Sequence, residues 1–382
     1  MADTSSQIRT IPDRRDRSAL VQFPWNLVPL LRCIHDGGQL LQTAQVRSGE
    51  LGVIDANLLC LTCSASYQIR DGIARMLPSQ LSKENEHEIA IRDEEYALTH
   101  AEPFVAPADG WRSELNDLVE IPPFLRELEP LENRRVLELG CGDGRLTMLM
   151  AQMGASVMAV DFSLNALRRM GGWLASGDAP TAFQGVWRRR DRDLRPYVGL
   201  VHADASLFRM KPESFDRALS ATPLDSRDER MAMYRAVAEA LRDGGRYIGS
   251  YEHDDLTRRL LGLPVARRYQ NDGIFIEHFD ASTVHRESAP YFAVRRVYPI
   301  RPRVPFVSRL PHSWAARALR TCGKVPLLRD LGEILLLRAE RPVRAPLEGA
   351  NRPGNGLIRG LFRSYARKLG KEPVWGTDER VV

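Results

Sequence analysis

Apolar positions along the chain switch between two periods. Short apolar runs read as strands at Arg135–Leu139, Ser156–Val160, Leu200–Ala203, Arg217–Ser220 and Tyr247–Tyr251. Between several of them the period lengthens to that of a helix. Arg145–Met153 follows the first run, and Asp228–Leu241 precedes the fifth, with a stop expected at Gly244-Gly245. Two later runs, Phe292–Ile300 and Glu333–Leu337, complete the set. Alternation of this kind predicts an α/β architecture with a mostly parallel sheet and helices on both faces.

The pattern also divides the chain. Residues 1–22 are polar and aperiodic and read as a tail. Residues 23–78 carry β-prone stretches around Val46, Val53-Ile54, Leu58-Leu59 and Tyr67–Ile69, a small β-rich domain. Residues 79–110 predict a helix from Glu84 to Leu98 and a Pro/Ala-rich linker; residues 111–341 hold the alternating domain. Residues 342–382 open as a loop. They then place Ile358, Leu361, Phe362, Tyr365 and Leu369 on one helical face beside Arg359, Arg363 and Arg367, a basic amphipathic helix.

Composition narrows this little. Hydrophobic residues make 43% and charged residues 27% of 382, values of an ordinary globular chain, so collagen, coiled coil and wholesale disorder are excluded. No apolar run approaches the ~18 residues of a membrane-spanning helix. The net charge of +5 does not by itself mark a nucleic-acid binder. Five cysteines are too few for a disulfide scaffold, which predicts a reducing, cytoplasmic setting.

The strongest chemical signal is Val136-Leu137-Glu138-Leu139-Gly140-Cys141-Gly142-Asp143-Gly144, a strand running through a glycine turn into a helix. Glycines let the backbone turn sharply and let a ligand press on bare main chain. The spacing is G-x-G-x-G, not the G-x-G-x-x-G of dinucleotide folds, and no Lys-Ser/Thr pair follows for a phosphate loop. Glu138 closes this strand, Asp161 the second and Asp204 the third. An acid ending the second strand suits two ribose hydroxyls, and one ending the third suits an exocyclic amine.

At these residues the chain resembles the class I S-adenosylmethionine-dependent methyltransferases, over residues 111–340. The resemblance implies a Rossmann-like methyltransferase fold with a seven-stranded sheet and S-adenosylmethionine as cofactor. Glu138 would serve the cofactor's amino-acid end, and Gly140, Cys141, Gly142 and Gly144 would form the loop beneath it. Asp161 would hold the ribose, and Asp204 with Ala205 would border the adenine. Phe215–Ser220 matches the family's fourth strand, adding Ser220 to the site, and Pro223-Leu224-Asp225 matches the following loop. Many small-molecule members carry Leu-Glu-His there; this chain has Leu224-Asp225-Ser226, so that histidine's role does not transfer. The Asn/Asp-Pro-Pro-aromatic motif of amine- and amide-directed members is absent.

In the front segment, Cys33-Ile34-His35-Asp36-Gly37-Gly38 and Cys60-Leu61-Thr62-Cys63 look like two knuckles of a zinc ribbon. Through Tyr67–Ile73 the segment resembles the small zinc-ribbon proteins that activate methyltransferases. Asp36 stands where that family has a cysteine, so zinc would rest on Cys33, Cys60, Cys63 and either Asp36 or His35. The alternative is that the metal is lost and the cysteines are small core residues.

Parallel sheets place ligands at their carboxyl ends, which nominates Ser220–Asp225 and Tyr251–Asp254 for the acceptor side. A hydroxyl acceptor needs a base, and His253 is the first candidate, with His278 and Asp225 behind it. The expected activity is methylation of a small molecule, such as a natural-product, sugar or lipid intermediate, with oxygen favoured. Two rivals stand beside it. One is an rRNA or tRNA methyltransferase using the zinc-ribbon-like domain and Trp187–Arg195 to hold RNA; the other is a cofactor-binding scaffold without methyl transfer. The C-terminal helix is an expected contact for an anionic membrane surface or a partner protein.

Overall fold

In a computed structural model, the structure describes residues 21–78, 81, 83–98, 110–176, 193–221, 226–268, 275–302, 307, 310–322, 325 and 331–342. The front segment contributes β1 (Phe23–Pro24), β2 (Leu40–Ser48), β3 (Gly52–Cys60), β4 (Ser66–Arg70) and β5 (Ile73–Arg75). Two helices follow, α1 (Lys83–Leu98) and α2 (Gly110–Leu128). Then come β6 (Arg135–Leu139), α3 (Arg145–Gln152), β7 (Ser156–Asp161), α4 (Leu164–Ser176), β8 (Val198–His202), β9 (Phe215–Ser220), α5 (Arg227–Ala240) and β10 (Leu241–Glu252). The chain continues through α6 (Leu256–Leu260), β11 (Ala266–Arg268), β12 (Phe275–Glu277), α7 (Ala281–Ser288), β13 (Ala293–Pro302), α8 (His312–Cys322) and β14 (Gly332–Glu340).

Seven of these strands lie in the order β8-β7-β6-β9-β10-β14-β13. β8 through β10 are parallel, and β14 runs antiparallel between β10 and β13. The period of two splits each strand between two cores. Leu137, Ala218, Tyr247 and Leu335 face α5, α7 and the front segment. Val136, Leu219, Ile248 and Leu336 face α2, α3 and α4. Burying each large side chain is worth about 1.5–3 kcal/mol, so a slip of one residue would invert every strand and is forbidden. This is the α/β architecture with a mostly parallel sheet that the pattern predicts, in the Rossmann-like form that the resemblance implies.

The front segment joins the same sheet. β5 pairs in parallel with β8, placing Ile73 opposite Leu200 and Arg75 opposite His202, and β4 and β3 extend the sheet outward to twelve strands. Phe23, Leu27 and Ile69 are fully buried and share the core with Met158 and Val201. The described residues all belong to one compact unit ending at Pro342.

Two elements differ from the expectation. α2 was not anticipated, because Pro122 and Pro123 lie inside it and proline removes a helical donor. α5 ends at Ala240, before the glycines, because Leu241 turns to extended backbone and pairs with Phe215. The run Trp187–Arg192, Asp225 and the C-terminal helix lie outside the described residues. Among the described residues, no helix is long and apolar enough to cross a membrane.

Candidate cofactor and metal sites

β6 ends at Leu139, and the chain turns through the glycines into α3. Gly142 sits at φ +54, in the left-handed region that side chains resist, and a Cβ there would stand 2.7 Å from the Tyr96 hydroxyl. The Gly140 and Cys141 N–H groups donate to the Val160 carbonyl at 2.9 and 3.1 Å, fastening the loop to β7. Strand pairing therefore fixes the loop before any ligand arrives.

Three acids stand at consecutive strand ends, each with its own donors. Asp161 accepts the Gly142 N–H at 2.7 Å through Oδ2 and the Ser163 N–H at 2.8 Å through Oδ1. Each oxygen keeps a lone pair for a hydroxyl. Burial pushes Asp161 up to about 6, against those two hydrogen bonds, which lower it. Asp204 accepts from Ser206 N–H and Oγ, both at 2.7 Å, through Oδ1, and from the Asn85 amide at 3.1 Å through Oδ2. Glu138 is 1% exposed and accepts from the Thr147 hydroxyl at 2.5 Å. Burial pushes it up to about 8, outweighing that hydrogen bond and the nearby Arg145.

A cavity of about 210 Å³ opens over the loop at the carboxyl ends of β6, β7 and β8. Six of the residues that the sequence nominates for the cofactor, Gly140, Gly142, Asp161, Asp204, Ala205 and Ser220, line it. Glu138, Cys141 and Gly144 are not among its lining residues: Glu138 turns toward Thr147 on α3, Cys141 is buried, and Gly144 caps α3. The opposite wall was missed. α1 supplies Asn85, Glu88, Ile89, Arg92 and Tyr96, a stripe at helical spacing in a helix that the sequence places but gives no role. The donor set fits an adenosyl amino acid: paired carboxylate lone pairs for a ribose, an acceptor for an amine, and bare main chain between them.

His253 and His278 stand apart from this cavity wall. His253 ends the β10 segment with 9% exposure, and its Nδ1 lies 2.6 Å from the Gly332 carbonyl. A carbonyl only accepts, so Nδ1 carries the proton and Nε2 is the basic nitrogen. His278 makes the same kind of contact to the Val265 carbonyl at 3.1 Å. Glu252, also at the end of β10, has its carboxyl raised by burial while Arg301 pulls it down.

The two cysteine knuckles converge. Among the described residues, ligand atoms of Cys33, Asp36, Cys60 and Cys63 all lie within 4.8 Å of one another. Cys33 and Cys63 sulfurs are 3.5 Å apart, and Cys60 Sγ is 3.4 Å from Asp36 Oδ1. Tetrahedral zinc with bonds of about 2.3 Å to sulfur and 2.0 Å to oxygen requires edges of about 3.8 and 3.5 Å, so the four fit that metal. Asp36 therefore reaches the group where the sequence left His35 as an option; the His35 ring lies against Tyr67 at 6.5 Å. The Cys63 and Thr62 N–H groups point at Cys60 Sγ and lower its pKa, favouring the thiolate. The Gly38 N–H does the same for Asp36. A Cβ on Gly38 would stand 2.8 Å from both Asp36 Oδ1 and Cys60 Sγ, so glycine keeps this centre open.

Strand order, glycine loop and the sequence of acids are the features by which the chain resembles class I S-adenosylmethionine-dependent methyltransferases. Residues 137–249 match the family described as methyltransferase domain, which runs from β6 into β10. A ubiquinone biosynthesis O-methyltransferase of Ralstonia nicotianae is 29% identical over 169 residues, covering 42% of this chain and 64% of that one. The match thus spans less than two thirds of that relative's length. The S-adenosylmethionine-dependent methyltransferase of Mesorhizobium loti superimposes with a TM-score of 0.42 at 21% identity, over 59% of this chain and 100% of that one. A complex of the Haloferax volcanii Trm112 methyltransferase activator with a methyltransferase gives 0.43 at 16%, over 67% and 99%.

Proposed function

We propose that this chain transfers the methyl group of S-adenosylmethionine to an oxygen of a small-molecule acceptor. The observation that carries the reading is the cavity bounded by Gly140, Gly142, Asp161 and Asp204, where three successive parallel strands end around one glycine loop. The curated relative named an O-methyltransferase favours oxygen. When bound, the cofactor supplies an activated methyl group, so the protein's task is alignment and exclusion of water.

Asp161 binds the ribose hydroxyls, Asp204 the base, and Gly140, Cys141 and Gly142 leave the main chain bare beneath the amino-acid end. Glu138 and Gly144 act from below: Glu138 braces α3 through Thr147, and Gly144 opens the helix. Ser220 closes the wall toward the acceptor. His253 Nε2 takes the acceptor proton, with Nδ1 held by the Gly332 carbonyl; Asp225 and His278 are the lesser candidates. Cys33, Asp36, Cys60 and Cys63 hold zinc as a structural ion. The protein works in the cytoplasm, and the C-terminal basic helix contacts an anionic membrane surface or a partner protein.

The test is incubation of the full chain with S-adenosylmethionine labelled in the methyl group and a cell extract, followed by separation of RNA, protein and small molecules. Label in an alkali-stable, small-molecule ether is the expected result. Label in RNA would replace the reading with its rival, and tight cofactor binding without any product would leave a scaffold.

A further inference from the structure

α1 turns one face to the cavity, carrying Asn85, Glu88, Ile89, Arg92 and Tyr96 at intervals of three or four residues. A helix that packs only for stability turns an apolar stripe inward. This stripe has one aliphatic side chain among polar ones, so it is made to face a polar ligand. The helix is anchored separately, by Asp93. Its Oδ1 accepts from Ser163 Oγ at 2.5 Å and from the Asn165 N–H at 3.1 Å, and its carbonyl accepts from the Asn165 amide at 3.0 Å. That anchor is the turn directly after Asp161, so α1 is tied to the ribose end of the site.

At the other end, the Asn85 amide donates to Asp204 Oδ2. Asp204 Oδ1 is committed to Ser206. A carboxylate can take the exocyclic amine of adenine, but it is acceptor-only and offers nothing to the ring nitrogen beside that amine. A primary amide carries donor and acceptor side by side and matches that adenine edge.

We propose that Asn85, set on Asp204 by this hydrogen bond, is a specificity-determining residue for the adenine base of the cofactor. The inference rests on the reading of the cavity as an S-adenosylmethionine site and adds a wall from outside the sheet. α1 thereby makes base recognition depend on a segment that precedes the methyltransferase domain in the chain.

The experiment is calorimetric titration of the full chain with S-adenosylhomocysteine and with S-inosylhomocysteine, where a carbonyl replaces the amine. The wild type is expected to favour the adenosyl form by about tenfold or more, the size of one bidentate base contact. Asn85→Ala is expected to lower this ratio by about threefold or more, the remainder being held by Asp204. Asn85→Asp keeps the shape but removes the donor, so it moves the ratio the same way even if the alanine variant folds poorly. A wild-type ratio retained in both variants overturns the inference, whatever happens to affinity as a whole. Wild type binding neither nucleoside overturns the cofactor reading itself and the inference with it.

Discussion

The cysteine group and the glycine-loop cavity both collect anionic groups, and they stabilise them by different means. At Cys33, Asp36, Cys60 and Cys63 the ligand atoms lie within 4.8 Å. Two unit charges at about 4 Å repel by about 4 kcal/mol at an effective dielectric of 20. Three backbone N–H groups, from Gly38, Thr62 and Cys63, offset only part of that. The group therefore calls for a dication or for protons. Around the cavity, Asp161 and Asp204 in its wall and Glu138 beneath it end different strands, and each has a donor from its own neighbourhood. Burial, not mutual repulsion, leads the upward shift of Glu138 and Asp161. On the proposed reading a metal ion holds the first site together; the second is assembled by the sheet.

The largest effect should come from breaking the first. Purified wild type is expected to hold about one zinc per chain and Cys60→Ser/Cys63→Ser none, with a loss of melting temperature on the order of 10 °C. Since the sheet builds the cavity, affinity for S-adenosylhomocysteine measured well below melting should change less than about threefold. Mass spectrometry of the native protein decides the metal content, and carefully prepared wild type without zinc ends the idea. Next in size is His253→Ala, for which turnover should fall about 10²- to 10⁴-fold while S-adenosylhomocysteine affinity holds; unaltered turnover removes His253 from the mechanism.

Glu138 offers a pH test of the buried acids. Its folded-state pKa, about 8, lies above the ordinary 4.5. Between those values the folded protein keeps a proton that the unfolded chain releases, so stability falls as pH rises across the interval and levels off above it. Glu138→Gln removes the titration. It should raise apo-protein stability at pH 8 by on the order of a few kcal/mol and leave it nearly unchanged near pH 4.5. Urea midpoints at the two pH values measure this; parallel profiles for variant and wild type would show that Glu138 does not titrate there. The smallest effect is that of Asp161→Ala, which should weaken S-adenosylhomocysteine by about 10- to 100-fold, the worth of charge-assisted hydrogen bonds, with zinc content unchanged. Calorimetry beside metal analysis tests it, and a joint loss of both would show the two regions to be coupled.

Much of this was legible in the chain because its causes are local. A strand's period of two, a helix's wider period and the glycines between β6 and α3 are properties of neighbouring residues, so β6 and its loop could be read at once. The acids at 138, 161 and 204 followed from where strands end. The two knuckles were legible for the same reason, since Cys60-Leu61-Thr62-Cys63 presets its own turn. α2 was hidden, because prolines at 122 and 123 argue locally against a helix that packing of Phe124 and Leu128 sustains.

What the sequence determined by itself, then, was the alternation, the loop chemistry and the residue types of both sites. Tertiary structure alone decided which of them meet. It placed Asp36 rather than His35 among the thiolates, turned Glu138 away from the cavity toward Thr147, and laid α1 across the site through Asp93. It also joined the front segment to β8 through β5. Each of these is a contact between separate segments of the chain, fixed by strand register and by competition for buried hydrogen-bond partners, and no spacing within a single motif encodes that competition.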